Sequence, residues 1–313
     1  GCYIGDIENI KCSVNWMWPN NYKNESKKLY DTAIYLTNAL KKIGVGIDGG
    51  KDSLSMMVKT EQKEIVSPGS VVITGYASCL DYTKNITPNF KSINSSIFWI
   101  SLNENVDDTS KLNYNLKGSI FSRISRINSN KCFLPSNINM IYCKKIFNLI
   151  QSFLSKNILL AFHDISDGGL ITTLFEMCYA GFNGADINLK CKNPYEFYNF
   201  LFCEEPGIIV EVANDNIELF QEKLEEVNIN YINIGKTNIN HKISFDVLFE
   251  SNINSRFGSP INNLKNSIKL LETKNIQVLK KSSIYLSPPK DFRKAAGTFY
   301  NAVIMVNTSL KPK

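Results

Sequence analysis

Two polar segments each hold acids, hydroxyls and glycines close enough together to meet a phosphorylated ligand. In "AFHDISDGGL" (161–170) an apolar run ends at Phe162. His163, Asp164, Ser166 and Asp167 follow, then Gly168-Gly169 and an apolar stretch from Leu170 that reads as a helix. Asp164 and Asp167 are hard oxygen ligands of the kind that join Mg²⁺ to nucleotide phosphates. Ser166 can donate to a phosphate oxygen, and glycines leading into a helix N-terminus supply N–H groups of the right polarity. A helix cap with a solvated loop would need only one such residue. Four polar side chains in five positions weigh towards a site. A Ser-His-Asp triad is excluded, because working triads are assembled from separated elements, not from neighbours in sequence.

The second segment, "GVGIDGGKDS" (44–53), overlays two nucleotide signatures and satisfies neither. A dinucleotide fingerprint needs a strand before its glycines and a helix after them, whereas the periodicity here runs helix, glycines, strand. A P-loop needs glycine at 45 and Ser or Thr at 52, where Val45 and Asp52 stand. For isolated glycines, a helix cap and a turn would suffice. Lys51-Asp52-Ser53 adds chemistry to that turn. Lys51 can pair with phosphate, Ser53 and Ser55 can donate to it, and Asp52 can orient the lysine or hold Mg²⁺. Gly50 would let the backbone approach the ligand. His241 lies in a polar turn and reads as bland. Glu204 and Glu205 in "LFCEEPG" read as a structural turn, since adjacent residues of a strand face opposite sides.

The elements that must position these segments follow from periodicity. Leu29, Ala33, Leu36, Leu40 and Ile43 give a one-sided helix over 29–43, with Lys41 and Lys42 at its negative end and Gly44 suited to the left-handed cap. "SLSMMVK" alternates and reads as a strand over 53–59, followed by strands at 70–77 and 97–102. Beyond residue 106 the pattern predicts a helix over 139–155, a buried strand at 158–162 and a helix over 170–180. A strand at 207–212, a helix over 217–227 and strands at "YINIG" and "ISFDVLF" complete it. Helices and strands alternate, but the long irregular turns favour an α+β layered fold over a doubly wound sheet. After residue 268 the pattern weakens, and Pro288-Pro289 with a basic excess reads as a linker or arm.

Composition removes several function classes. A chain of 313 residues with 43% apolar content has room for two ordinary cores. The net charge of +6 is misplaced as a nucleic-acid footprint, because residues 269–313 alone carry nine Lys or Arg against two acids. No apolar run reaches the length of a membrane span. Eight cysteines without a C-x-x-C pair fit reduced cytoplasmic thiols better than zinc or disulfides. The first residue is glycine, which points to a chain that begins inside a longer polypeptide.

Taken together, "GDIENIKCSVNWMW" (5–18), "GVGIDGGKDSLSM" (44–56), "SPGSVVITGYA" (67–77), "TPNFK" (87–91), "HDISDGGL" (163–170), "FEMCYAG" (175–181) and "LFCEEPG" (201–207) resemble the large single-chain phosphoribosylformylglycinamidine synthase family, in that order. The resemblance implies a barrel-forming α+β domain, partial here, over residues 1–105. A second α+β domain of the aminoimidazole ribonucleotide synthetase type would cover 106–268, and 269–313 would lead towards a glutaminase domain. It implies an ATP- and glutamine-dependent ligase converting formylglycinamide ribonucleotide to formylglycinamidine ribonucleotide in purine biosynthesis, in the cytoplasm and with no nucleic-acid or membrane partner. It matches Asp164 to a Mg²⁺ ligand and Ser166 to an ATP contact. Gly50, Lys51, Asp52 and Ser53 match a segment lining nucleotide or substrate space. A non-catalytic role, holding ADP-Mg²⁺ to stabilise the fold, is the alternative that the family's duplicated architecture implies. The resemblance also implies missing parts: further Mg²⁺ ligands (a Glu and an Asn four apart) upstream, the other synthetase half, and the glutaminase. "NWMW" and "GKDSLSM" argue against a selenophosphate or thiamine-phosphate enzyme. "DFRKAAGTFYNAVIMVN" has no counterpart in the family.

Overall fold

The computed structural model describes residues 1–104, 116, 118–125, 138–191, 194–251, 265, 269, 276–281, 285–287 and 299–308. In chain order its strands are β1 (Lys11–Met17), β2 (Gly46–Ser53), β3 (Met57–Lys59), β4 (Glu64–Val66), β5 (Ser70–Tyr76), β6 (Ser96–Ser101) and β7 (Leu159–Ile165). They continue with β8 (Gly184–Cys191), β9 (Gly207–Val212), β10 (Tyr231–Asn238), β11 (Ile243–Ser251), β12 (Ile276–Lys281), β13 (Tyr285–Ser287) and β14 (Phe299–Thr308). The helices are α1 (Glu25–Ile43), α2 (Ile120–Ile124), α3 (Met140–Ser155), α4 (Gly169–Gly181), α5 (Pro194–Phe202) and α6 (Ile217–Glu226). The chain divides into two compact units, Cys2–Asn85 with Asn139–Lys156, and Ile86–Ile138 with Asn157–Lys313.

The first unit is built on a three-stranded sheet in which β1 lies between β2, parallel to it, and β5, antiparallel. Cys12 and Val14 alternate inward on β1 and are buried. Helix α1 stops where expected: Gly44 adopts φ +91° and its N–H bonds the Leu40 carbonyl at 2.8 Å, a left-handed cap open to glycine at little cost. Helix α3 belongs to this unit, although the chain reaches it only after β6. Its buried Gln151 accepts N–H bonds from Ile4 (2.7 Å) and Gly5 (3.0 Å) and donates to the Cys2 carbonyl (3.1 Å). One amide side chain thus satisfies three backbone groups of an extended N-terminal segment.

The second unit is a mixed sheet in the order β12-β14-β11-β8-β10-β6-β9-β7, with β13 on β14. Most neighbours are antiparallel, while β8 and β11 are parallel. β6 and β9 are buried along their whole length because both faces are covered. Ile97 and Trp99 join the core formed with α4 and α5, whereas Phe98 points the other way onto Phe220 of α6, ring centroids 4.9 Å apart. β8 alternates buried and exposed residues from Ala185 to Cys191, as a strand with one covered face must.

The α+β class is as expected, and three local expectations are corrected. Lys51-Asp52-Ser53 is not a turn: Gly46–Ser53 is a strand, and the alternation at 53–59 resolves into its end plus β3, which pairs with β4. The strand expected to end at Phe162 continues to Ile165, so His163 and Asp164 are strand residues paired with Ile209 and Ile208. Within the expected linker over 269–313, residues 276–281, 285–287 and 299–308 are strands of the second sheet. The run "AVIMV" (302–306) has the β-branched composition that pairing favours. The expected boundary at 105/106 falls outside the described residues, and β6, placed before it, belongs to the second unit's sheet.

Candidate functional site

The two candidate segments lie in different compact units, and each is built by its own neighbours. In the first unit, β2 runs beside β1 with a bulge: Cys12 faces Ile47 and Ser13 faces Gly49, leaving Asp48 unpaired. Asp48 accepts a short hydrogen bond from the Tyr76 hydroxyl of β5, and that bond, with the carboxylate's charge, raises the Tyr76 phenol above its ordinary range. Lys51 and Asp52 are consecutive on the strand and therefore face opposite sides, so Asp52 does not orient the lysine. Lys51 Nζ lies 3.4 Å from Ser53 Oγ and 3.4 Å from the Asp52 carbonyl. By register, Asn15 of β1 is the side-by-side neighbour of Lys51, which puts an amide, an ammonium and a hydroxyl on one open face.

The glycine of this segment serves the sheet. Gly50 has φ +150°, and a Cβ there would sit 1.9 Å from the Val14 carbonyl oxygen. Its bare backbone lets β2 approach β1. Gly49, by contrast, has nothing within 4 Å of its would-be Cβ.

In the second unit, β7 is an edge strand and carries Asp164 outward, with 70% of its side chain exposed. His163 is 19% exposed and stands between two carboxylates. Its Nε2 is 2.9 Å from Glu176 Oε2 of α4, and its Nδ1 is 3.3 Å from Asp164 Oδ1. The imidazole thereby fixes one oxygen of Asp164 and leaves the other open. Ser166 and Asp167 are exposed in the loop that follows. The loop closes tightly: Gly169 N–H bonds the Ser166 carbonyl at 3.0 Å, and Gly168 (φ +86°) and Gly169 (φ +74°) are both left-handed.

Here too a glycine makes room for chain. A Cβ on Gly169 would lie 2.7 Å from the Cys203 carbonyl oxygen and 2.8 Å from that of Leu201. The positive end of α4 is thus set against carbonyls at the end of α5, a favourable dipole arrangement. The Thr173 hydroxyl, 3.2 Å from the Asp164 carbonyl and 3.3 Å from that of Gly169, ties the strand end to the helix start.

Sequence reasoning passed over three residues that shape this unit. Glu204 Oε1 accepts from the Gly168 N–H (2.8 Å) and the Ile120 N–H (2.8 Å). Glu176, about two turns into α4, holds His163. Glu211 of β9 is 0% exposed and accepts from Lys91 N–H (2.8 Å), Ser92 N–H (2.9 Å) and the Ser95 hydroxyl (2.5 Å). That anchors "TPNFK", whose Phe90 N–H in turn bonds the Met177 carbonyl of α4 at 3.1 Å. The one signal in the sequence was an acid at the second position from the end of an otherwise apolar strand, "GIIVEV", where a carboxylate needs partners.

The donor set near Asp164 fits a cation of limited demands. Among the described residues no group of three or more His, Cys, Asp or Glu side chains could hold a metal alone. One exposed carboxylate beside an exposed hydroxyl is, however, compatible with the small protein share of Mg²⁺ ligation, where water and phosphate complete the shell.

Two family profiles match the chain: the FGAR-AT PurM_N-like domain over residues 1–78, and the C-terminal domain of AIR synthase related proteins over residues 134–247. The chain carries a domain of the AIR synthase-related family over residues 134–247. It is similar to a probable chloroplastic/mitochondrial phosphoribosylformylglycinamidine synthase of Arabidopsis thaliana, 34% identical over 229 residues, covering 73% of this chain and 16% of the relative. It is 36% identical to the probable Caenorhabditis elegans synthase over 232 residues, 70% of this chain and 17% of that one. The Homo sapiens synthase is 30% identical over 236 residues, 75% and 17% respectively. The chain thus spans less than a fifth of the length of these relatives. Among solved structures it shares its fold with Escherichia coli HypE, a hydrogenase maturation protein (TM-score 0.54, 12% identity, 78% of this chain and 74% of that one). The fold also recurs in T. maritima PurL complexed with FGAR (TM-score 0.51, 11% identity, 76% and 37%). Among the described residues no helix is long and apolar enough to cross a membrane.

Proposed function

We propose that the chain is part of a phosphoribosylformylglycinamidine synthase, a carbon–nitrogen ligase that uses ATP and glutamine, and that the loop after β7 is its nucleotide-binding segment. The observation that carries the reading is the pairing of Asp164, outward and steadied by His163, with an exposed Ser166 at the start of α4. In that reaction the γ-phosphoryl group of ATP passes to the amide oxygen of formylglycinamide ribonucleotide. Ammonia released from glutamine then forms the new carbon–nitrogen bond as phosphate leaves with the oxygen. Mg²⁺, when bound with the nucleotide, supplies charge neutralisation of the phosphates. Asp164 would be its protein ligand and Ser166 a donor to a phosphate oxygen. Lys51 and Ser53, on one face of β2, would meet the phosphate of a second ligand. The glutaminase and the other synthetase half would be partners in the same polypeptide.

A second reading has the site hold ADP-Mg²⁺ only to stabilise the fold. The duplicated architecture that the resemblance implies supports it, since one of two related nucleotide sites can hold ADP without turnover. Asp164→Asn in the full-length polypeptide separates the two. A stable protein whose kcat collapses supports the catalytic role. A lower Tm with kcat retained in the surviving protein supports the structural one. Unchanged stability, activity and nucleotide affinity would refute both.

A further inference from the structure

We propose that Glu204 is the positioning residue of the nucleotide loop: its carboxylate locks Gly168, and with it Ser166, into the ligand-ready arrangement beside Asp164, which strand β7 already holds. The inference rests on the reading of 164–169 as a nucleotide site. Its own support is geometric. A loop with two successive left-handed glycines has many accessible conformations and loses them all on ordering. Only one backbone bond, Gly169 N–H to the Ser166 carbonyl, closes it from within. Beyond the Thr173 hydroxyl, which bonds the Asp164 and Gly169 carbonyls at its two ends, the loop is restrained from outside by Glu204, whose Oε1 accepts the Gly168 N–H at 2.8 Å.

The same oxygen accepts the Ile120 N–H at 2.8 Å, so the start of α2 and the start of α4 share one acceptor. Glu204 follows directly on buried Cys203, whose N–H bonds the Asn199 carbonyl at 2.9 Å, and whose own carbonyl abuts Gly169. The carboxylate is therefore carried on a fixed backbone, not on a mobile arm. Its charge also sits at the positive end of α4, where it is favoured. Because Glu204 takes the Gly168 N–H, that group is not a phosphate donor. The exposed hydroxyl of Ser166 and the second oxygen of Asp164 remain to face a ligand. Glu204 acts through the loop and does not touch the nucleotide itself.

The test titrates ADP with Mg²⁺ into the full-length polypeptide by calorimetry, alongside amide hydrogen exchange at Gly168 and Gly169 in the absence of nucleotide. Wild type is compared with Glu204→Ala, Glu204→Gln and, as the control for the site itself, Asp164→Asn. Glu204→Ala is expected to weaken ADP-Mg²⁺ binding about tenfold or more, the scale of losing charge-assisted hydrogen bonds, and to speed exchange at Gly168. Glu204→Gln keeps an acceptor oxygen and is expected to recover most of both, to within about threefold of wild type. If Asp164→Asn weakens binding and Glu204→Ala does not, the positioning role is overturned while the site stands. If neither variant weakens binding, the site reading fails and takes this inference with it. Should Glu204→Ala not fold, Glu204→Gln decides: exchange and affinity within about threefold of wild type uphold an acceptor-based lock, and a loss as large as that of Asp164→Asn contradicts it.

Discussion

Replacing Gly50 by alanine should damage the protein, and replacing Gly49 should not, although the two are adjacent and both look like parts of one glycine loop. A Cβ at Gly50 would lie 1.9 Å from the Val14 carbonyl oxygen and 2.8 Å from its carbon, on a residue whose φ is +150°. Two costs add. An L-residue held in that backbone region costs about 1–3 kcal/mol, and pushing β2 away from β1 to relieve the overlap costs about 1–3 kcal/mol more. The expected loss is therefore about 2–6 kcal/mol, large against a typical domain stability of about 5–15 kcal/mol. At Gly49 the new methyl group meets nothing within 4 Å, and reduced freedom of the unfolded chain offsets any strain, so the change should stay within about 1 kcal/mol. Urea unfolding followed by tryptophan fluorescence, with Trp16 and Trp18 in the same unit, reads both. Equal effects at the two positions would refute the packing argument. So would a Gly50→Ala protein of wild-type stability that had lost affinity for a phosphorylated ligand, which would mean that the glycine serves the ligand after all.

Glu211→Gln should destabilise by about 2–4 kcal/mol in urea titrations, because an amide N–H₂ would face at least one of the three donors that the carboxylate now accepts. Burial, and then the charge of Asp186, hold the Asp246 carboxyl above its ordinary range. Its contribution is therefore fully present below the unfolded pKa and lost as pH rises through the folded one. Asp246→Asn should accordingly gain stability relative to wild type as pH is raised across that interval, and unfolding midpoints below and above it check the sign. Burial pushes the thiols of Cys178 and Cys191 up to about 12, with Glu196 adding to the latter. Iodoacetamide at neutral pH should thus modify exposed Cys79 first, Cys2 more slowly because burial and then Cys79 hold its thiol up, and Cys178 and Cys191 only after unfolding, as peptide mass mapping would show.

Much of the fold was legible because one-sided burial leaves a period. The helix at 29–43 starts four residues earlier than its apolar stripe but ends at the expected Gly44 cap, and 207–212 matches its strand. β8 alternates just as clearly, yet its "GADINLKC" mixes polar residues so evenly that composition hides it. Glycine misled most. In both segments it reads locally as room for a ligand, while Gly50 and Gly169 make room for another stretch of backbone, a partner distant in sequence that no local pattern announces. The same holds for Glu204: adjacency to Glu205 suggested a featureless turn, and its two acceptor bonds come from residues 36 and 84 positions away. Type and spacing singled out Asp164 and Ser166, which the fold leaves exposed at the end of β7 and in the loop after it; that they meet a nucleotide is our proposal.

The account turns on a divalent cation meeting Asp164 together with a nucleotide. The direct measurement is anomalous diffraction from crystals of the full-length polypeptide grown with ADP and Mn²⁺ in place of Mg²⁺. The expected result is a manganese peak about 2.2 Å from an Asp164 carboxylate oxygen, with nucleotide phosphate completing the shell beside Ser166. Ordered ADP elsewhere, or ADP at this loop with no metal against Asp164, would contradict it.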